Sequence, residues 1–508
     1  MNLDPRTPVV VGVGQAAERI DDPGYRAMSP VELAAAAASA ALADCGADAG
    51  SVAAAVDTVA GVRQFEISGP VASAVLGRSN NYPRSVAKRV GAEPARAILE
   101  IVGGQGPQHL ISELAAEIAA GGSRVALIFG SDATSTLRRF AKADDKPDFT
   151  ETVDGDLEDR GTGIEKLISR YTVIHGLTSA PIQYGLLENA RRAGTGLGPA
   201  EYRRRMGELF APFTKIAASN PFAAAPVERT VEELITVTEA NRMIAEPYPR
   251  LMVARDQVNQ GAAALLMSVE AARRLGVPEE NWVYLHGHAD LEEQPLLERP
   301  DLGHAPSAVM AVREALGMAG IGVDDVATFD LYSCFPVPVF NICDGMGIAP
   351  DDPRGLTLTG GLPFFGGAGN NYSMHAVAET IVQMRSMPGQ FGLVGANGGI
   401  LSKYSVGVYS TTPVEWTPDR NARLQSQVAG LPTQAVVEAA DGCGSVETYT
   451  VRRDDGRPTG IVIGRLDDGS RFLSTTEDDE LIALLIEGDP LGHAVRVRSF
   501  DYGNRCSL

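Results

Sequence analysis

The chain is short of the residues that mark several common protein classes. Of 508 residues, five are cysteine, two tryptophan and seven histidine. Cys45, Cys334, Cys343, Cys443 and Cys506 are scattered, odd in number and include no Cys-x-x-Cys pair. That argues against a disulfide scaffold or a zinc cage and fits free thiols in a reducing cytoplasm. Positive charge is also scarce: 44 Lys and Arg stand against 64 Asp and Glu, a net charge of -20. Non-specific nucleic-acid binding, which needs phosphates neutralised, is therefore disfavoured. No run reaches the roughly 18 uncharged apolar residues of a membrane helix. No basic segment followed by an apolar run opens the sequence, so no signal peptide is expected. With 44% hydrophobic and 21% charged residues, the composition is that of a globular protein too long for one core.

What is present is a pattern of glycines. Gly103-Gly104-Gln105-Gly106 follows the apolar run from Ala97 to Val102, and Gly366-Gly367-Ala368-Gly369 follows Leu362-Pro363-Phe364-Phe365. The first turn leads into a helical stretch, Leu110 to Ala120, and a strand, Val125 to Gly130. The second leads into Met374 to Met384 and Phe391 to Gly395. A glycine turn at a helix N-terminus presents backbone N–H groups and a positive dipole end. Two such turns facing each other would make a site for a carbonyl oxygen, an oxyanion or a thiolate.

The repetition extends further. Helices beginning at Pro30 and Pro306 are followed by Ser51 to Asp57 and by Val323 to Asp330, each read as an acidic linker and a strand. Such self-similarity implies duplication into two α/β halves. Residues 135–250 break the pattern and read as an inserted cap, with amphipathic helices expected over Tyr202 to Phe213 and Val231 to Ile244. The predicted division is 1–270 (including the cap), 271–411 and 412–508. The last segment changes texture. Short strands are expected at Ala435 to Val437, Thr448 to Val451, Thr459 to Leu466, Ser470 to Leu473 and Ala494 to Val497. Asp454-Asp455-Gly456 and Asp467-Asp468-Gly469 read as hairpin turns between them. This predicts a small β-barrel of the oligonucleotide/oligosaccharide-binding (OB) type. From Thr412 to Leu508, 10 basic residues stand against 16 acidic ones, a net of -6, so a structural or partner-docking role is favoured over nucleic-acid binding.

Gly12-Val13-Gly14 after a strand imitates a dinucleotide fingerprint, but Asp21-Asp22-Pro23-Gly24 breaks the helix that a phosphate turn should open. His286 and His288 share a strand face, a weak metal hint, and no metal site is expected. No covalently bound cofactor is expected either.

Strand, glycine turn, helix and strand, duplicated with a cap in the first half, resemble the thiolase superfamily over about residues 5 to 411. Gly360 to Gly369 resembles its Gly-Gly-x-x-x-x-Gly-His-Pro-x-Gly segment. Tyr332-Ser333-Cys334-Phe335 resembles the His-Asp-Cys-Phe segment of sterol-carrier-protein-type thiolases, and Gly395 to Gly399 their Asn-x-Gly-Gly segment. Glu100 to Gly106 resembles the nucleophile turn. The appended β domain resembles that of mycobacterial type 1 thiolase-like proteins. The resemblance implies a duplicated five-layered α/β core with an inserted cap and a C-terminal OB-like barrel. It also implies an acetyl-CoA acetyltransferase-like or acyltransferase-like protein that handles coenzyme A thioesters in lipid metabolism.

The same resemblance puts Gly103 where the family's nucleophilic cysteine stands, Gly367 where its Gly-His-Pro histidine stands and Tyr332 where its His-Asp-Cys-Phe histidine stands. An acyl-enzyme by the family route is therefore not expected. The turns could still hold a thioester oxygen through Gly103, Gly104 and Gly367, with Asn370, Asn371 and Asn397 orienting it. Tyr332 or His375 could act as acid or base, and Cys334 as a relocated nucleophile. The plain alternatives are a packed tyrosine, a buried neutral histidine and a small hydrophobe. His109, near the first turn, is a weaker candidate. Arg203, Arg204 and Arg205 in the cap could meet coenzyme A phosphates or form a solvated face. Three functions stay open: remodelled thioester chemistry, an aldol lyase on hydroxyacyl-CoA, and a non-catalytic acyl-CoA-binding or partner-docking protein. A monomer is favoured over a homodimer.

Overall fold

The computed structural model describes residues 3–69, 74–164, 169–453 and 457–508. Duplication is written in its sheets. In the first half, strands Pro8–Ala17, Gln260–Ser268, Val125–Asp132 and Thr58–Gly61 lie side by side in that order. In the second half, Tyr284–Glu292, Lys403–Ser410, Phe391–Gly398 and Val326–Leu331 do the same. Within each set the first two pairings are antiparallel and the third is parallel. The first sheet continues through Arg96–Leu99 to the two-residue strand Glu158–Asp159.

The two glycine-turn helices, Gly106–Ala120 and Tyr372–Ser386, lie between the sheets. Leu110, Leu114 and Ile118 of one share a buried cluster with Val377, Ile381 and Met384 of the other, and with Ile128 and Val394 from the two sheets. Helix Pro30–Asp44 covers the outer face of the first sheet, and Pro306–Ala319 that of the second. The result is five layers. Gly12 and Gly14 sit inside the uninterrupted strand Pro8–Ala17. A Cβ at either would lie 2.1 Å from a carbonyl oxygen of helix Pro30–Asp44. These glycines therefore serve helix-on-sheet approach rather than a phosphate turn.

Three local expectations shift. Ser51 to Asp57 is not linker and strand. Asp48 caps a short helix, Ala49–Ala55, and the strand begins at Thr58, because alanines with a capping aspartate favour helix. Val231 to Ile244 holds only the helix Val231–Ile235. The segment then becomes strand Met243–Ala245, whose Ala245 pairs with Arg452 of the C-terminal domain. Ala435 to Val437 makes a single bridge, Val436 to Arg471, rather than a strand.

In the C-terminal domain, strands Gly442–Arg452, Thr459–Leu466, Arg471–Thr476, Gly503–Ser507 and Ala494–Phe500 neighbour one another in that order. The last pairs back onto the first, closing a five-stranded barrel. The turn at Asp467 to Gly469 forms as expected, with Gly469 at φ +85°. The turn expected at Asp454 to Gly456 lies outside the described residues. Strand Gly503–Ser507 and helix Asp479–Glu487 were not foreseen.

The barrel is stapled to the core. Arg471, fully buried, pairs with Glu447 at 2.6 Å and donates to the carbonyl oxygens of Leu297 and Arg299 at 2.6 and 2.5 Å. Cap helix Ala180–Thr195 is held by Asn189 Nδ2 donating to Tyr449 O at 3.0 Å, by Thr448 Oγ1 donating to Leu186 O at 2.5 Å, and by Arg192 paired with Asp489 at 2.8 Å. Among the described residues, no helix is long and apolar enough to cross a membrane.

Replacing Arg471 by alanine leaves Glu447 with Arg465 alone and strands two carbonyl oxygens at this junction. It is expected to lower stability by about 1–3 kcal/mol. A urea midpoint unchanged from that of the parent would contradict this account of the junction.

Candidate functional site

The two glycine turns meet across the pseudo-symmetric core, and residues of the second half hold the first turn. Asn370 Oδ1 accepts the Gly103 N–H at 3.0 Å, and Ser373 Oγ donates to Gly104 O at 2.6 Å. Asn370 Nδ2 donates to Arg63 O and Ser68 Oγ, each at 2.8 Å, while Asn371 Nδ2 donates to Gly130 O at 2.8 Å. The Gly367 N–H donates to Arg255 O at 2.8 Å. The backbone donors of Gly103 and Gly367, expected to face a ligand, are thus already engaged.

Around the turns lies a cavity of about 560 Å³, within the range of small-molecule sites. Gly103, Gly104, Tyr332, Cys334, Gly367, Asn370 and Asn397 line it, so most of the sequence-derived candidates come together. Asn371 stands at the N-cap position of the second helix and does not line the cavity. The space beside the first turn is filled. Gly103 has φ +145°, and a Cβ there would lie 2.0 Å from Gln105 Oε1. A Cβ on Gly104 would lie 2.2 Å from the Tyr332 hydroxyl. Only glycine fits at either position. The Gln105 carboxamide and the Tyr332 phenol occupy the room that side chains at the turn would take.

Cys334 is a protonated thiol. Burial pushes it up to about 12, against weaker opposing effects from the Tyr184 hydroxyl and nearby amides. Burial, with the neighbouring Cys334, also raises the Tyr332 phenol far above its ordinary value. Neither group is activated for nucleophilic or base chemistry at neutral pH. Tyr184, which sequence reasoning missed, enters from the cap helix. Its hydroxyl donates to Gly399 O at 2.9 Å and accepts from Asn397 Nδ2 at 2.7 Å. Its ring stacks on Phe335 with centroids 4.6 Å apart. No local pattern in the cap announced it. Only barrel and core together bring this helix to the cavity.

Other candidates lie elsewhere. His375 is fully buried behind the turn, with Nδ1 2.7 Å from Gln15 Oε1, and does not line the cavity. Desolvation drives it down to about 3, so it is neutral. Burial opposes charge on His109 as well, but Asp290, Glu100 and Glu113 outweigh it and raise the group to about 9. Among the described residues, Glu100, His109 and Glu113 are the one trio spaced for a metal. Arg160 already bridges those two carboxylates at 2.7 and 2.6 Å. His286 and His288 pair with the linker carbonyl oxygens of Thr412 and Thr417 at 2.8 and 3.2 Å. Arg203, Arg204 and Arg205 pair with Glu246, Glu232 and Glu208. A different set of arginines borders the cavity. Arg229, Arg242, Arg250 and Arg255 line a groove of about 310 Å³ that shares Val253, Ala254 and Asp256 with it. Burial, then the like charge of Arg250, pulls Arg255 down, and its buried Nε has no partner among the described residues.

Comparison with known proteins follows the same architecture. The chain is 58% identical to a monomeric SCP2-thiolase like protein type 1 from Mycobacterium smegmatis, with a TM-score of 0.87 and 100% of both chains covered. Residues 423–501 match the family described as thiolase-like protein type 1 additional C-terminal domain. An Ltp2-ChsH2(DUF35) aldolase is 18% identical with a TM-score of 0.56, over 80% of this chain and 98% of that one. Acetyl-CoA acetyltransferase from Syntrophomonas wolfei is 14% identical with a TM-score of 0.55, over 80% and 99%. These last two likenesses are of fold alone. No curated sequence gives a match.

Two outcomes follow from the geometry. Gly103→Cys is expected to destabilise by about 1–3 kcal/mol, the usual cost of a side chain held in a sparsely populated backbone region. Adding Gln105→Ala should recover part of that loss, and a fully stable single variant would contradict the packing described. For His375, the neutral form contributes stability fully present above pH 6.5 and lost as pH falls towards 3. Urea midpoints measured from pH 7 to 4 should therefore fall less steeply in His375→Gln than in the parent.

Proposed function

The chain belongs to the thiolase-like protein type 1 family, and on that premise we propose that it binds a coenzyme A thioester without forming the thiolase acyl-enzyme. The observation that carries the reading is the adjacency of a cavity at the paired glycine turns and a groove lined by four arginines, which share Val253, Ala254 and Asp256. The cavity suits an acyl group and the sulfur-bearing end of a carrier. The groove suits the phosphates of the same ligand, which guanidinium groups receive well. In this proposal Gly103 takes the nucleophile's place, and thioester exchange there has no thiol to attack with. Cys334, protonated and sheltered, does not replace it. Tyr332, without a cation to favour its phenolate, does not supply the base of a lyase. Thioester binding in lipid metabolism is the role these features support.

We further infer that the barrel, OB-like in its five closed strands, acts structurally. It holds the cap helix whose Ala180, Pro181 and Tyr184 wall the cavity. A monomeric state and a cytoplasmic location complete the reading. The edge of strand Arg96–Leu99 is covered by Glu158–Asp159, the kind of device that blunts strand-to-strand association. All five cysteines are free thiols.

Titration calorimetry with coenzyme A and short acyl-CoAs tests the proposal. Micromolar binding is expected, with no thiolysis of acetoacetyl-CoA. Arg242→Glu combined with Arg255→Glu should weaken binding at least about tenfold, roughly 1.4 kcal/mol. Absence of binding at millimolar ligand would refute the thioester reading.

A further inference from the structure

We propose that the cavity floor recognises a hydrogen-bond donor on its ligand, received by the side-chain oxygen of Asn397. The inference rests on reading the cavity as a thioester site. Asn397 lines the cavity and is only 1% exposed. The orientation of its amide is fixed by a short relay. The Tyr184 hydroxyl spends its single proton on Gly399 O at 2.9 Å, so it must accept from Asn397, whose Nδ2 lies 2.7 Å away. Asn397 Oδ1 is therefore left over, buried and without a partner among the described residues.

A buried carbonyl oxygen in that state has given up its water without a replacement partner. A ligand O–H or N–H would relieve it. Two of the donors that would welcome an oxyanion are engaged, Gly103 N–H by Asn370 and Gly367 N–H by Arg255. At Asn397 the floor thus presents an acceptor, where oxyanion stabilisation requires donors.

Two parts of a coenzyme A thioester carry such a donor. One is a hydroxyl on the acyl group close to the thioester, and the other is an amide N–H of the pantetheine arm. The hydrogen-bond chemistry is shared, and binding measurements separate the sources. The probes are coenzyme A, butyryl-CoA and 3-hydroxybutyryl-CoA, titrated by calorimetry into the full chain and into Asn397→Leu. If the hydroxyl is the donor, 3-hydroxybutyryl-CoA binds the parent at least about tenfold tighter than butyryl-CoA, and the variant abolishes the difference. If the pantetheine amide is the donor, all three ligands weaken by about tenfold together. Asn397→Asp keeps an acceptor at nearly the same size and should retain the parent's pattern, so the test stands even if the leucine variant folds poorly. Should the parent bind these ligands while Asn397→Leu leaves every affinity within about twofold, the donor-recognition proposal is overturned and the thioester reading survives. Should the parent bind none of them, the thioester reading falls and takes this proposal with it.

Discussion

The structure depends on one set of hydrogen bonds between its two halves. Asn370 and Ser373, at the start of the second glycine-turn helix, grip the N–H of Gly103 and the carbonyl of Gly104. Around this clasp the two central helices share one buried cluster with both sheets. Because those groups are satisfied by the opposite half, the turn is fixed before any ligand arrives. Buried backbone groups must find partners, and here the duplication supplies them internally. Duplication alone would make two open turns. The asparagine and serine side chains turn them into one closed joint.

That joint decides the chemistry available. With the Gly103 and Gly367 N–H groups spent on Asn370 and Arg255, the paired turns keep fewer donors for an oxyanion. The space beside the first turn holds the Gln105 carboxamide and the Tyr332 phenol rather than a reactive side chain. Low dielectric reinforces the outcome, keeping Cys334 protonated and His375 neutral. In the reading proposed above, the cavity is a place to bind rather than a place to attack. Its charge complement lies outside, in the arginine groove, where an anion would meet guanidinium groups still open to solvent on one side.

The barrel extends this logic at a distance. It touches no cavity residue through its own strands in the hydrogen bonds described, yet it fixes the helix that delivers Tyr184. Asn189, Thr448 and Arg192 bind that helix to strand Gly442–Arg452 and to Asp489. Buried Arg471 ties the barrel to the second half. A five-stranded barrel buries a limited core on its own, and these polar staples bind it to the larger domain.

The sequence by itself determined the elements whose signals are local. Paired glycine turns, alternating apolar strands and alanine-rich helices announced a duplicated α/β core, and Thr459 to Leu466 announced a barrel strand along its whole length. The resemblance at Tyr332 to Phe335 and Gly360 to Gly369 gathered Gly103, Gly104, Gly367, Cys334 and Asn397 into one site before any coordinates. The analogy between the two halves misled at Ala49–Ala55, which alanines and an aspartate cap make helix, and neighbours override propensity at Met243–Ala245, which became strand because Arg452 was there to pair with it. What only the tertiary structure decided is which polar atoms remain unspent. Gly103 and Gly367 look like free donors in any linear reading, but Asn370 and Arg255 arrive from far along the chain to claim them. Tyr184, the arginine groove and the unpartnered oxygen of Asn397 carry no local signature. Hydrogen-bond satisfaction is a property of the packed whole, so the polarity of a site is settled by contacts that sequence spacing does not encode.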